Sequence, residues 1–546
     1  MHAVVGMRTL RTDLSCHPQV RPSQYGDHHP IRPPNWRFMR YVRPPTRDSK
    51  LEPLYPLRPA TRPVRLGIDV GTIAEPPEEG YITGFLTRDE IEVHLLIPAA
   101  TEAPSGWTEL LDEPPCHTVN FTNVADAGKF CDAAEFSVST ARGESYRAWS
   151  KARFFAAYQQ LDEHDAPDGL PPLTLDQRHR AAAYAAAAGA VGIDAIVTTA
   201  PTAGRTDVAD NDVVVSVTPD AAVPLIGHYL RVTSNPVVTV ERGMLVGGGS
   251  WETTESTATI VNLYDWGTVS GLPYFDAASM FAAAAKGGPE AAEAFTSVRI
   301  RLRRAARAFD DLLAALSNPL DGKRNEDVAE ATAEAFDREL LYLAAVFDIF
   351  GRAYQAMVDP SVDRKKARGS LDSRTFIDKE VRTQYDQSLL GDVTRLRVYA
   401  WLCKQLRNHI HDGVLAVDTH PGRSYGNTMN VALNLSVIPE LALGADNEMT
   451  QHHYDALGVW QTEPVSPFTG SSMVADLATT GFTLIRAALE YIEAFTKLIV
   501  RNKPANAPSS SAFLGCVQAR PGEVEPAPPK RAVFYQALFG LHPDSV

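Results

Sequence analysis

Hydrophobic positions along this chain change their rhythm twice. Residues 64–70, 81–86 and 91–97 form short apolar runs divided by Pro76-Pro77 and Gly80, the pattern of brief strands between turns, and 118–121 is a candidate fourth. Residues 145–160 carry Trp149, Phe154, Phe155 and Tyr158 at helical spacing, which predicts an amphipathic helix. From 174 the order is clearer. Thr174 or Asp176 starts an alanine-rich helix to about residue 188, Gly189 and Gly192 end it, and Asp194-Ala195-Ile196-Val197-Thr198 reads as a buried strand of parallel-sheet character. A second strand over 213–217 runs into Thr218-Pro219-Asp220, a helix start, and the helix continues through 221–231. Helix, strand, loop, strand and helix in this order predict an α/β crossover.

Residues 243–273 are rich in Gly, Thr and Ser around a β-like run at 257–263, so 243–288 is expected to connect two units. Beyond Gly288 the apolar period becomes 3.6, predicting long helices over 291–317, 326–358, 374–390, 393–411 and 472–501. The expected organisation is a basic arm (1–60), an α/β domain (61–242), the connection (243–288), an all-α domain (289–503) and a flexible tail (504–546) that is rich in Pro and Ser.

Composition narrows this picture. At 546 residues the chain exceeds one ordinary hydrophobic core, and no apolar run approaches the 18 or so residues of a membrane span, so no membrane partner is expected. Arg8, Arg11 and Asp13 interrupt the region where a secretory signal would place its apolar core. Cys16, Cys116, Cys131, Cys403 and Cys516 are scattered, which suits reduced thiols and a cytoplasmic location. The pairs His28/His29 and His452/His453 are adjacent rather than four apart, and make no metal face on a helix. Net charge is −14, yet residues 1–60 hold nine Arg and one Lys against Asp13, Asp27, Asp48 and Glu52. That arm, with Trp36 and Tyr41 among its prolines and arginines, reads either as a nucleic-acid contact or as a leader that leans on an acidic body.

Candidate chemistry comes from four segments. Gly67-Ile68-Asp69-Val70-Gly71-Thr72 resembles the first phosphate loop of actin-like sugar kinases, with 244–250 as a conceivable adenosine motif. No second phosphate loop lies between them, and Gly247 to Gly249 lack the Lys-Ser/Thr of a Walker loop, so no cofactor is expected. Residues 176–229 resemble the C-terminal half of PIN-like nuclease domains: Asp176 opens the alanine-rich helix, Ile196-Val197-Thr198 ends a strand, and Val214 to Val217 enter a Pro-initiated helix. The resemblance implies carboxylates converging on Mg²⁺ or Mn²⁺, with Asp176 as a metal ligand. Thr199-Ala200-Pro201 stands where an acid is expected, and Asp207, Asp210 and Asp212 could substitute or be solvated loop residues.

The sharpest segment is Leu406-Arg407-Asn408-His409-Ile410-His411-Asp412-Gly413 at the end of a predicted helix. Arg407 and His411, four apart, share one helix face, where a guanidinium can hold phosphate and an imidazole can move protons. The segment resembles the Arg-Asn…His motif of the HEPN superfamily, and the helix over 326–358, with Asp337, Arg338, Tyr342, Asp348 and Arg352 in its apolar stripe, resembles the one that packs beside that motif. Three residues separate Arg407 from His411, where the ribonuclease members commonly have four to six. The resemblance implies catalytic Arg407, Asn408 and His411, metal-independent RNA cleavage, a homodimer, and a role in toxin, stress or defence systems. RNA or nucleotide is the expected partner. The alternative is a non-catalytic binding or scaffold protein using the same surface, with His411 a favourable charge at a helix end and Gly413 a terminator.

Overall fold

The computed structural model describes residues 62–541 except 79, 99–100, 103, 112–115, 124–132, 140–144, 152–169, 206–207, 209–213, 234–236, 241–251, 256–259, 284–288, 321, 323, 360, 422–428, 443–446, 463–469, 503 and 506–529. The basic arm and Asp207, Asp210 and Asp212 lie outside the described residues.

The N-terminal region is α/β. Strands β1 (Val64–Asp69), β2 (Ile91–Ile97), β3 (Cys116–Asn123), β4 (Ala133–Ser139), β5 (Ser145–Lys151), β6 (Ala195–Val197) and β7 (Val215–Val217) form one sheet in the order β5-β4-β3-β2-β1-β6-β7. The five strands from β3 to β7 across β1 are parallel, and β4 and β5 extend the β3 edge as antiparallel additions. β1, β2 and β6 are buried almost throughout because the sheet is covered on both faces. Helix α1 (Thr83–Leu86) stands where a strand over 81–86 was expected, and α2 is Ser105–Leu110. The run expected as a helix over 145–160 begins as strand β5: residues 145–151 alternate as well as they cycle, and pairing with β4 decides between the two periods. Parallel pairing of β1 with β2 also removes the kinase-like reading of 67–72, which requires an antiparallel hairpin there.

Helix α3 (Leu175–Val191) starts at Thr174, whose hydroxyl accepts from the Gln177 amide while the Gln177 side chain accepts from the Thr174 amide. Helix α4 (Pro219–Val232) is capped by Thr218. The segment expected as a connection contains the two-stranded β8 (Val237–Val240) and β9 (Glu252–Glu255), then α5 (Ile260–Gly267) and α6 (Pro273–Ala283). Its expected β-run therefore becomes helix from Ile260, and Leu263, Tyr264 and Phe275 join the main core.

The C-terminal region is mostly helical: α7 (Pro289–Leu316), α8 (Asn325–Val358), α9 (Gly391–Asp412), α10 (Gln451–Ala456) and α11 (Leu477–Arg501). It is not all-α. Strands β10 (Val417–Pro421), β11 (Met429–Asn434), β12 (Val459–Gln461) and β13 (Met473–Asp476) form an antiparallel sheet in the order β10-β11-β13-β12. These strands have three to six residues, too short to stand out beside helices of more than twenty. The helix expected over 374–390 is a single turn, Arg374–Phe376, followed by the π-turn Ile377–Val381.

The expected tail contains α12 (Lys530–Phe539), with Phe534 and Tyr535 fully buried. This helix lies across the junction of the two regions. Arg231 of α4 donates from Nε and Nη2 to the Asp310 carboxylate of α7 at 2.7 and 2.8 Å, and from Nη1 to the Leu538 carbonyl of α12 at 2.7 Å. Tyr264 of α5 donates its hydroxyl to Asp310 at 2.6 Å, and the Arg231 guanidinium stacks 3.8 Å from the Phe539 ring centroid. One hydrophobic cluster runs from β1 through α7, α8 and α11 to α12, so the regions share a core.

Candidate functional site

Two places collect chemistry-bearing side chains. The first is the C-terminal edge of the parallel sheet, where the chain order reverses between β1 and β6, the usual ligand crevice of such sheets. Asp69 ends β1 and is buried. Its Oδ1 accepts from Arg180 Nη2 at 2.5 Å and from the Gly71 amide at 3.1 Å, and its Oδ2 accepts from the hydroxyls of Thr198 at 2.7 Å and Thr72 at 3.0 Å. Arg180 reaches Asp69 from the second turn of α3, and Tyr184 one turn later receives a hydrogen bond from the same nitrogen at 3.2 Å. Burial and the Asp69 charge push the Tyr184 phenol upward, so it stays protonated.

Four donors occupy the roughly four lone-pair sites of one carboxylate. The residues present do not fit a nuclease-type Mg²⁺ or Mn²⁺, which would compete with a guanidinium for the same oxygens and meet the Thr198 hydroxyl where a second carboxylate is needed. Asp176 is exposed in the first turn of α3. Among the described residues no group of three His, Cys, Asp or Glu side chains converges with metal-ligand geometry, there or elsewhere.

The second place is the end of α9. Arg407 is half-buried, with 23% of its side chain exposed, and His411 is exposed one turn later on the same face. Arg407 Nη1 donates to Asn408 Oδ1 at a long 3.4 Å, and Nη2 stands 3.8 Å from Asp348 Oδ2 of α8, too far for a hydrogen bond. Lys404 Nζ, one turn earlier, donates to Asp348 Oδ1 at 3.0 Å and lies 3.8 Å from Asp372. The Ser370 hydroxyl bridges two carboxylates, lying 2.7 Å from Asp348 Oδ1 and closer still to Asp372 Oδ1, with one proton to give to either. Burial pulls the Asp348 carboxyl upward, but Ser370, Lys404 and the charge of Arg352 outweigh it and hold the group below its ordinary value. His409 faces another way, with Nε2 3.5 Å from Glu440.

Local sequence explains how these groups meet. Gly351 lies on α8 one turn beyond Asp348, and a Cβ there would stand 2.6 Å from the Ser370 Cα. Glycine thus lets the 369–373 loop press onto the helix, delivering Ser370 and Asp372 to Asp348. The Leu371 amide donates to the Phe347 carbonyl at 3.3 Å, Tyr491 donates to the Leu371 carbonyl at 2.9 Å, and Arg397 donates to the Asp372 carbonyl at 3.2 Å. Arg397 also pairs closely with Glu448. Gly413 leaves α9 in an extended conformation, so it does not act as the left-handed terminator.

The sequence motif named Arg407, Asn408 and His411, and the structure brings them to one helix end with Asp348 of the neighbouring α8. Lys404, Ser370 and Asp372 were missed. Lys404 was within reach, since 404, 407 and 411 repeat at three and four; the loop residues carry no periodic signal. Among the described residues no helix is long and apolar enough to cross a membrane. No family model, curated protein or solved structure matches the chain.

Proposed function

We propose that the chain is an RNA-directed protein of a toxin, stress or defence system, a HEPN-like helical unit joined to a PIN-like α/β unit, and that the α9 end is its ribonuclease centre. The observation that supports this is the contrast among its arginines. Arg231 and Arg62 engage their guanidinium donors in bidentate carboxylate pairs at 2.7 to 2.8 Å, whereas half-buried Arg407 makes one long hydrogen bond among the described residues, beside an exposed imidazole. A guanidinium held out of bulk water with spare donors suits a phosphate, which it can grip with two parallel bonds.

In this mechanism Arg407 binds the scissile phosphate and Asn408 orients the backbone. His411 takes the proton of the ribose 2′-hydroxyl as O2′ bonds to phosphorus and the P–O5′ bond breaks, giving a 2′,3′-cyclic phosphate. The departing O5′ takes its proton from the protonated His411 of a second copy in the homodimer. No metal takes part.

Purified protein incubated with mixed RNA in EDTA tests this. Wild type should leave cyclic-phosphate ends, His411→Ala should abolish them at a cost of at most about 1 kcal/mol in stability, and Arg407→Lys should lose most activity because an ammonium lacks the planar fork. Cleavage that survives His411→Ala overturns the proposal. Binding without cleavage is the second reading, favoured by the short Arg407-to-His411 spacing.

A further inference from the structure

Arg407 does not stand alone on its face. Lys404, Arg407 and His411 form one stripe along α9, and Asp348 of α8 faces its Lys404 and Arg407, with Arg352 one turn further along α8 close enough to act on the Asp348 charge. Asp348 sits between the cations without fully satisfying them. It holds Lys404 at 3.0 Å, stands 3.8 Å from Arg407, and takes its other contact from Ser370. The carboxylate side chain is 19% exposed, so a ligand entering from solvent reaches the same cations that it does.

We propose that Lys404 is a second phosphate-contacting residue of this site, and that Asp348 is a displaceable counter-ion that keeps Lys404 and Arg407 aligned until an RNA phosphate replaces it. Three features carry this inference, which rests on the RNA-directed reading above. Lys404 has three donors, one of which Asp348 takes. The Arg407–Asp348 approach has Coulombic attraction but no hydrogen bond to break, so exchange for a closer phosphate pair gains contacts. The Asp348 carboxylate keeps the Ser370 hydroxyl beside it when Arg407 is exchanged, a hydroxyl within hydrogen-bond reach of both Asp348 Oδ1 and Asp372 Oδ1. Asp348 is therefore a positioning residue, and its negative charge competes with the substrate.

The test is affinity for a fluorescein-labelled, fully 2′-O-methylated single-stranded RNA, which lacks the 2′-hydroxyl needed for cleavage, read by anisotropy over a KCl series on the full chain. Lys404→Met should weaken binding about tenfold and lower the slope of log affinity against log salt by about 0.7, the value for one lost phosphate contact on a single strand. Lys404→Arg should restore both. Asp348→Asn should tighten binding several-fold, the opposite of what damage to a structural ion pair would do. Thermal melts of each variant identify any that fail to fold; should Asp348→Asn be one, Lys404→Met with its Arg rescue decides. If wild type and Lys404→Met bind alike while Arg407→Met weakens binding, the RNA-directed reading stands and the role given to Lys404 is overturned. If Asp348→Asn folds and weakens binding, the counter-ion role is overturned. If the wild type does not bind, the RNA-directed reading fails and this inference fails with it.

Discussion

Glu339 provides the most direct test of the packing described here. It lies within α8, fully buried, and neither carboxyl oxygen has a hydrogen-bond partner among the described residues. Its surroundings are apolar or small: a Cβ on Gly481 of α11 would stand 2.9 Å from Glu339 Oε2 and 3.1 Å from the Phe309 ring, and buried Cys403 of α9 is close by. Burial drives the carboxyl well above its ordinary 4.5, so the folded state favours its neutral form. Replacing it with the unbranched, apolar Met removes an unsatisfied polar group without opening a large cavity. The expected gain is about 1–3 kcal/mol, the usual cost of burying such a group unpaired. The pH dependence follows from the direction of the shift. A raised folded pKa means that the stabilising contribution is complete below the unfolded value of 4.5 and is lost as pH rises towards the folded one. Across that window wild type should lose about 1.4 kcal/mol per pH unit relative to Glu339→Met. Urea unfolding of both proteins at pH 5.5, 6.5 and 7.5, read by tryptophan fluorescence, measures the difference, and Asp337 and the other acids cancel because both chains carry them. Parallel pH profiles, or a destabilised Glu339→Met, would refute the reasoning and show that Glu339 is paired in solution.

Two further outcomes follow from other buried charges. Asp310→Asn should cost about 3–5 kcal/mol in urea unfolding, because it leaves the Arg231 guanidinium buried without a counter-ion at the junction of α4, α7 and α12; a loss below 1 kcal/mol would show that this joint is not ionic. Millimolar Mn²⁺ should leave the melting temperature of wild type unchanged, since the Asp69 lone pairs are engaged, and a metal-dependent rise that Asp69→Asn abolishes would contradict the geometry of Arg180.

What was legible in the sequence depended on whether a local pattern or a distant partner decided the outcome. Thr174 and Thr218 announce their helices because a cap is a contact within three residues, and both helices start where expected. α8 and α9 were readable because long helices repeat their apolar stripe many times. Residues 145–151 failed for the converse reason: seven residues satisfy two periods, and the antiparallel partner that chooses between them must be supplied by β4. α12 was hidden in another way. Its flanking Pro and Ser suggested a loose tail, while Phe534, Tyr535 and Phe539 find their cover in α1, α4 and α5, about 270 to 450 residues earlier in the chain. The site divides along the same line. Arg407, Asn408 and His411 form a local motif on one helix, and Lys404 extends it by one turn. The Arg180–Asp69 pair joins residues 111 apart, so the want of a second acid at the sheet edge was visible in sequence after Thr198, but the cation that engages Asp69 was not. The pair makes the edge self-contained. Asp69 is satisfied from four directions, whereas Arg407 makes one long hydrogen bond among the described residues, and that difference is why the functional reading stays with the end of α9 rather than with the α/β edge, where such sheets usually bind.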